Sequence, residues 1–301
     1  MDDLLQLSEK PAAREMYMLA GWRQWADAGS ISSELPRYLI EKTGARKIGE
    51  IRSDSFYLFQ FPGTHHLLRP EIKVVNGHRE ELRSPRNEIF YWGSDDKGLV
   101  IVLGDEPQLN VARYAEAFFN IAAELKVKRV GAMGGVYGAV PYDKDRQVSC
   151  IYSLPRMKAE LANYAVSFSN YEGGATIGSY LADRAENVGI EYLVYYAFVP
   201  MYDFAQVEPE VKGIMVEQDY KAWYDVMTRF NHMFNLGLDL SELEKDGREV
   251  TASVTAQIAE LEALGQQEQI REYMSRVNES FEETSYLPLD DAWEKGLDDI
   301  L

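Results

Sequence analysis

Five consecutive apolar residues, Leu99–Leu103 (LVIVL), lack the alternation of a strand with one wet face. Such a run suits a strand buried on both sides, at the centre of a sheet that helices cover. Other short apolar or β-rich runs fall at Met16–Ala20, Lys47–Ile51, Ile72–Val75, Glu88–Trp92, Arg129–Met133, Val148–Tyr152, Ala165–Phe168 and Tyr192–Val199. Helical spacing of apolar residues fills several intervals, over Ser30–Thr43, Leu109–Lys126 and Gly174–Val188. Strands alternating with helices of this length predict an α/β layered fold with a largely parallel sheet. Asn76-Gly77 inside Ile72–Trp92 predicts a β-hairpin.

The C-terminal third reads as helix. Val216, Tyr220, Trp223, Met227, Phe230 and Phe234 step by four and three, an apolar seam for the body or for another subunit. Leu236-Gly237 ends that helix, and Asp239 or Ser241 can cap a short one. Residues from Val254 to Val277 mark another helix. We expect an α/β core over residues 1–238 and an acidic helical extension over 239–301 packed on it.

Charge narrows the function. The 301 residues hold 31 Lys+Arg against 49 Asp+Glu, a net charge of −18. Of this, −12 lies in residues 239–301. Nucleic acid and anionic membrane surfaces are poor partners for such a chain. The acidic end should favour basic partners, with salt weakening the contact. The absence of an 18-residue apolar run argues against a membrane span, and the polar start lacks a signal-peptide core. A cytoplasmic protein is expected. The single cysteine, Cys150, excludes an intrachain disulfide and a Cys-based zinc site, and it reads as a small buried hydrophobe. His65-His66 lack further ligands, so neither a metal nor a cofactor is called for.

Three Gly-rich stretches follow strand-like runs, where α/β proteins place ligands. They are Gly21–Gly29, Gly131–Gly138 and Glu172–Ser179. None has dinucleotide spacing, and the P-loop lysine is missing before Ser179. Each serves equally as a turn and helix start, with Asp27 a candidate cap. If a ligand binds, the sheet edge is the expected place. Arg86 would hold an anionic group and Asn87 would orient it. Backbone N–H groups of Gly134, Gly135, Gly173 and Gly174 would cradle it, and Glu106 or Glu172 would be the base. The bland alternatives are that Arg86 locks the hairpin by ion pairs and that Asp105 or Glu106 starts the next helix.

The stretches GWRQWADAGS, GARKIGEIRSDSFYLFQF, SPRNEIFYW, LVIVLGDEPQL and YEGGATIGSYLADRAENVGIEYLVYYAFVPMY, in this order, resemble the prokaryotic branch of the proteasome assembly chaperone 2 family. The resemblance runs from about Gly21 to Leu240. It implies a three-layer α/β/α fold like that of purine nucleoside phosphorylases and related hydrolases, with a mostly parallel mixed sheet. It also implies self-association as a trimer and a chaperone-like or scaffold role. The chain ends Asp299-Ile300-Leu301, without the hydrophobic–Tyr–any tripeptide of proteasome-binding relatives, and it has Met201 where bacterial relatives tend to carry His. The family supplies no catalytic residues to transfer. Two readings follow. The first is a non-enzymatic, self-associating protein with a protein client. The second is an enzyme of nucleosidase, phosphorylase or hydrolase type acting on a small anionic ligand.

Overall fold

The computed structural model describes residues 4–23, 25–53, 55–59, 69–204, 213–263, 267–283 and 286. His65-His66 and the apolar residues Leu287, Leu289 and Trp293 of the acidic end lie outside them. The strands are β1 (Leu5–Leu7), β2 (Glu15–Arg23), β3 (Arg46–Ile51), β4 (Glu71–Val75), β5 (His78–Arg83), β6 (Asn87–Gly93), β7 (Lys97–Asp105), β8 (Arg129–Gly138), β9 (Val148–Tyr152), β10 (Ser167–Phe168), β11 (Glu191–Tyr202) and β12 (Ile214–Met215). The helices are α1 (Glu34–Thr43), α2 (Val111–Glu124), α3 (Lys158–Leu161), α4 (Ile177–Val188), α5 (Tyr220–Met233), α6 (Ser241–Leu261) and α7 (Gln267–Glu279).

Ten strands form one mixed sheet in the order β1-β3-β6-β7-β2-β8-β11-β9-β10, with β12 on β11. At its centre β2 runs parallel to both β7 and β8. The LVIVL run is the middle of β7, and Leu99 through Val102 are fully buried. β6 joins β7 antiparallel, β3 joins β6, and β1 closes that edge. The fold is α/β, as predicted.

The chain divides into two compact units. The first comprises residues 1–27, 32–133 and 173–194. Its core is built where α2 lays Tyr114, Phe118 and Ile121 inward, all fully buried. Trp22 packs against Phe118 with ring centroids 5.6 Å apart and planes tilted by 47°, and Phe56 meets Tyr114 edge-on at 5.3 Å. The second comprises residues 28–31, 134–172 and 195–301. There the seam of α5 is core: Trp223, Met227, Phe230 and Phe234 are buried, and Phe230 packs 4.7 Å from Tyr195. This seam is therefore spent inside the chain and is not a free subunit face. Cys150 is buried as well, and burial pushes its thiol up to about 12.

Three local expectations change. The hairpin predicted over Ile72–Trp92 closes at Arg83, between β4 and β5, while β6 enters the main sheet. Alternation explains the split: Asn87, Ile89 and Tyr91 point to a buried face, whereas the hairpin strands are exposed throughout. Gly131–Gly138 is not a turn but the body of β8. The helical stretch after residue 240 is two helices, a 21-residue α6 and a separate α7, rather than a short helix and one longer one.

Candidate functional site

In the first unit, β2 and β7 run parallel and end together at Arg23 and Asp105. This is the carboxyl edge where α/β proteins place ligands. The last residue of the buried strand is Asp105, itself buried. Its two carboxylate oxygens accept from different partners, Arg23 Nε at 2.7 Å and the Arg86 backbone N–H at 2.8 Å. The Arg86 carbonyl in turn accepts from the Asp105 N–H at 2.9 Å. Asp105 therefore fastens the start of β6 to the ends of β7 and β2.

Behind it runs a chain of buried polar side chains. The Tyr57 hydroxyl donates to the Asp105 carbonyl at 2.6 Å. Asn87 Nδ2 donates to the Tyr57 hydroxyl at 2.6 Å, and Asn87 Oδ1 accepts from the Tyr114 hydroxyl at 3.0 Å. Trp22 Nε1 closes the series on the Tyr114 oxygen at 2.6 Å. Asn87 is only 1% exposed, so both ends of its amide are committed inside the protein. Desolvation raises the pKa of Tyr57 and of Tyr114, and both hydroxyls stay protonated donors.

Glu106 is half-buried and does not start α2. One carboxylate oxygen accepts from the Ile177 N–H at 2.8 Å, at the first turn of α4. The other accepts from the Trp25 N–H at 3.2 Å. Burial raises its pKa, and these two backbone hydrogen bonds work against the rise. A carboxylate at a helix N-terminus is in a favourable field. Thr176 caps the same helix, its hydroxyl accepting from the Ser179 N–H at 3.1 Å. Asp27 accepts from the Ser32 and Ser33 N–H groups at 2.9 Å each, in the turn just before α1, and the helix's own N-cap, Ser33, makes no side-chain cap hydrogen bond.

The structure thus brings Arg86, Asn87 and Glu106 to one sheet edge. The Arg86 guanidinium pairs with Glu88 at 3.1 Å, two residues on in β6, so this ion pair does not lock the β4–β5 hairpin. Gly134 and Gly135 are buried strand residues in the second unit, and a Cβ on Gly135 would lie 2.0 Å from the Ala28 carbonyl oxygen. Glu172 is exposed in the second unit; Gly173 and Gly174 are exposed in the first, just before α4. Among the described residues no group of three or more His, Cys, Asp or Glu is placed to hold a metal ion.

Sequence reading missed a second polar cluster. In the second unit, Arg146 is almost wholly buried and pairs with Asp219 through its Nε at 2.8 Å. Its Nη1 donates to the carbonyls of Tyr142 and Lys144 at 2.9 and 3.0 Å, and its own N–H donates to Asp225 at 2.8 Å. Asp225 also holds Lys221 at 2.9 Å. Burial would lower the Arg146 pKa, and the Asp219 charge, helped by Asp225, more than reverses it. The cluster pins the 141–146 loop to α5. Every partner is internal, so it is a structural joint.

A family model described as the PAC2 family matches residues 22–258. Among solved structures, a proteasome-assembly chaperone homologue from Mycobacterium tuberculosis is 21% identical, over 81% of this chain and 96% of that one, with a TM-score of 0.69. A PAC2 family protein from Streptomyces avermitilis is 22% identical, over 86% of this chain and 99% of that one, with a TM-score of 0.69. An archaeal proteasome activator from Pyrococcus furiosus is 18% identical, over 85% of this chain and 98% of that one, with a TM-score of 0.58. At these identities the likeness shows a common fold. A comparison with curated proteins finds no match.

Proposed function

This chain belongs to the PAC2 family, and from that premise we propose that it is a self-associating, chaperone-like or scaffold protein whose client is another protein. Proteasome subunits are the first clients to test, because neighbours of the same fold are described as a proteasome-assembly chaperone homologue and a proteasome activator. A trimer working in the cytoplasm is the form we propose. No helix among the described residues is long and apolar enough to cross a membrane.

One observation carries this reading over the enzymatic one. The groups that would have to meet a ligand at the sheet edge are occupied with each other. Asn87 is spent between Tyr57 and Tyr114, Asp105 between Arg23 and Arg86, and Glu106 on two backbone N–H groups. An anion entering there would have to take Arg86 from Glu88, and would meet a carboxylate on either side. The edge is a hydrogen-bonded seam that holds β2, β6, β7 and α4 in register.

Thermal unfolding of the full chain tests this. A ligand present at 100 times its Kd adds about 2.7 kcal/mol of stability, a shift of several degrees in Tm. We expect millimolar inorganic phosphate, adenosine or inosine to leave Tm unchanged. We expect a stoichiometric complex with proteasome α-type subunits by light scattering. A saturable rise in Tm with phosphate or a nucleoside, abolished in Arg86→Ala, would overturn the proposal in favour of the enzyme.

A further inference from the structure

The β4–β5 hairpin is well formed and exposed, with Glu71 at its base 3.8 Å from Arg23. Its turn uses Asn76 at φ 50° and Gly77 at φ 80°, the left-handed pair that a tight two-residue hairpin requires. Every β4 residue is exposed, and β5 is exposed up to Arg83. Ile72 faces Leu82 across the ladder, and Val74, two residues on, shares their side. These three are 60%, 47% and 53% exposed. The opposite side carries Glu71 against Arg83 and Lys73 against Glu81. A two-stranded sheet is marginal in water without a cover, and this one presents an apolar stripe and, among the described residues, two edges that pair with no third strand.

Charge selects the cover. Residues 69–86 hold five Lys/Arg and three Asp/Glu, a net +2 in a chain of −18. Residues 287–301 are the complement. They interleave Leu287, Leu289, Trp293, Leu297 and Ile300 with five Asp/Glu and one Lys, a net −4. Apolar residues for the stripe and carboxylates for Arg79 and Arg83 occur in one short segment, while Lys73 is already paired with Glu80 at 2.6 Å. Addition of an extended segment to an exposed strand edge is a general recognition mode.

We propose that the β4–β5 hairpin is a docking arm for residues 287–301 of a second copy of this chain. The inference rests on the self-association proposed above and names its contact. The test uses full-length chains with different tags, co-expressed and purified through both. One carries Val74→Cys and the other Ala292→Cys, and the pair is treated with a short bismaleimide. Cys150 does not compete, being buried with its thiol pKa raised to about 12. The expected product is a covalent dimer carrying both tags. It should be lost when Ile72→Glu and Leu82→Glu are added to the hairpin chain, both at exposed sites. High salt before the reagent should weaken it. An oligomer by light scattering that gives no such crosslink would overturn this inference and leave self-association standing. A single-chain mass under all conditions would overturn both.

Discussion

Asp219→Ala is expected to destabilise the protein by about 3–5 kcal/mol, the usual effect of removing one partner from a buried ion pair. The cost arises from what remains. Arg146 has no exposed side-chain surface, so its charge cannot return to water when Asp219 is gone. Asp219 also caps α5, accepting from the Ala222 N–H at 3.1 Å, and loss of a cap costs about 1 kcal/mol by itself. Its own N–H donates to the Gly29 carbonyl, which also accepts from Trp223 Nε1 at 2.8 Å. The variant should therefore loosen the start of α5 and the loop at Gly29 together. Chemical denaturation measures the loss. In a double-mutant cycle with Arg146→Met, the two losses should fall short of additive by about 0.5–3 kcal/mol, because the second change removes the stranded charge. Additive losses would mean that the pair is not coupled.

Gly135→Ala and Gly174→Ala should move stability in opposite directions. A methyl group on Gly135 would sit 2.0 Å from the Ala28 carbonyl oxygen and 2.9 Å from Ile31 Cδ1. The first neighbour is backbone and cannot rotate away. Overpacking of this kind costs about 1–3 kcal/mol, and a backbone collision belongs at the upper end. Around Gly174 nothing lies within 4 Å of an added Cβ. There the substitution mainly restricts the unfolded chain, a gain of about 0.4–1 kcal/mol. Denaturation midpoints of the two variants decide the matter. Equal effects would mean that Gly135 is an ordinary turn glycine, as its sequence setting suggests.

These contrasts show where sequence reading succeeds and where it stops. The unbroken apolar run LVIVL names a central strand because a strand covered on both faces needs no polar alternation. Asn76-Gly77 names its turn because few residue pairs accept left-handed backbone twice. By contrast, the glycines of β8 look like a turn, since nothing local reveals that the Ala28 carbonyl passes beside Gly135. The division into α6 and α7 is passed over by a seam counted only by apolar spacing, because Val254, Ile258 and Leu261 on one helix and Ile270, Tyr273 and Val277 on the other continue the same pattern.

At the sheet edge, Arg86, Asn87 and Glu106 are legible as neighbours of strand ends. Their actual partners are not. Tyr57, Tyr114 and Trp22 lie in apolar contexts that predict core, and only the folded chain shows that their polar tips meet Asn87. Arg146 is the extreme case. It sits in the polar stretch Tyr142–Gln147, which reads as solvated loop, and its carboxylate partner is 73 residues away. Long-range pairing of charges leaves no periodic trace in a sequence.

The seam of α5 carries a similar lesson. Its four-and-three spacing fits a core helix and a subunit interface equally, and burial of Trp223, Met227 and Phe230 resolves it as core. The self-association we propose would then use another surface, and the exposed β4–β5 hairpin is one apolar element open to it among the described residues.

Native mass spectrometry of the purified full chain, with light scattering at matched concentration, bears most directly on the proposed function. A homogeneous trimer without a stoichiometric small molecule is the predicted result, and added proteasome α-type subunits should shift it to a defined complex. A single-chain mass carrying one bound small anion would contradict the account, and the identity of that anion would name the substrate class of an enzyme.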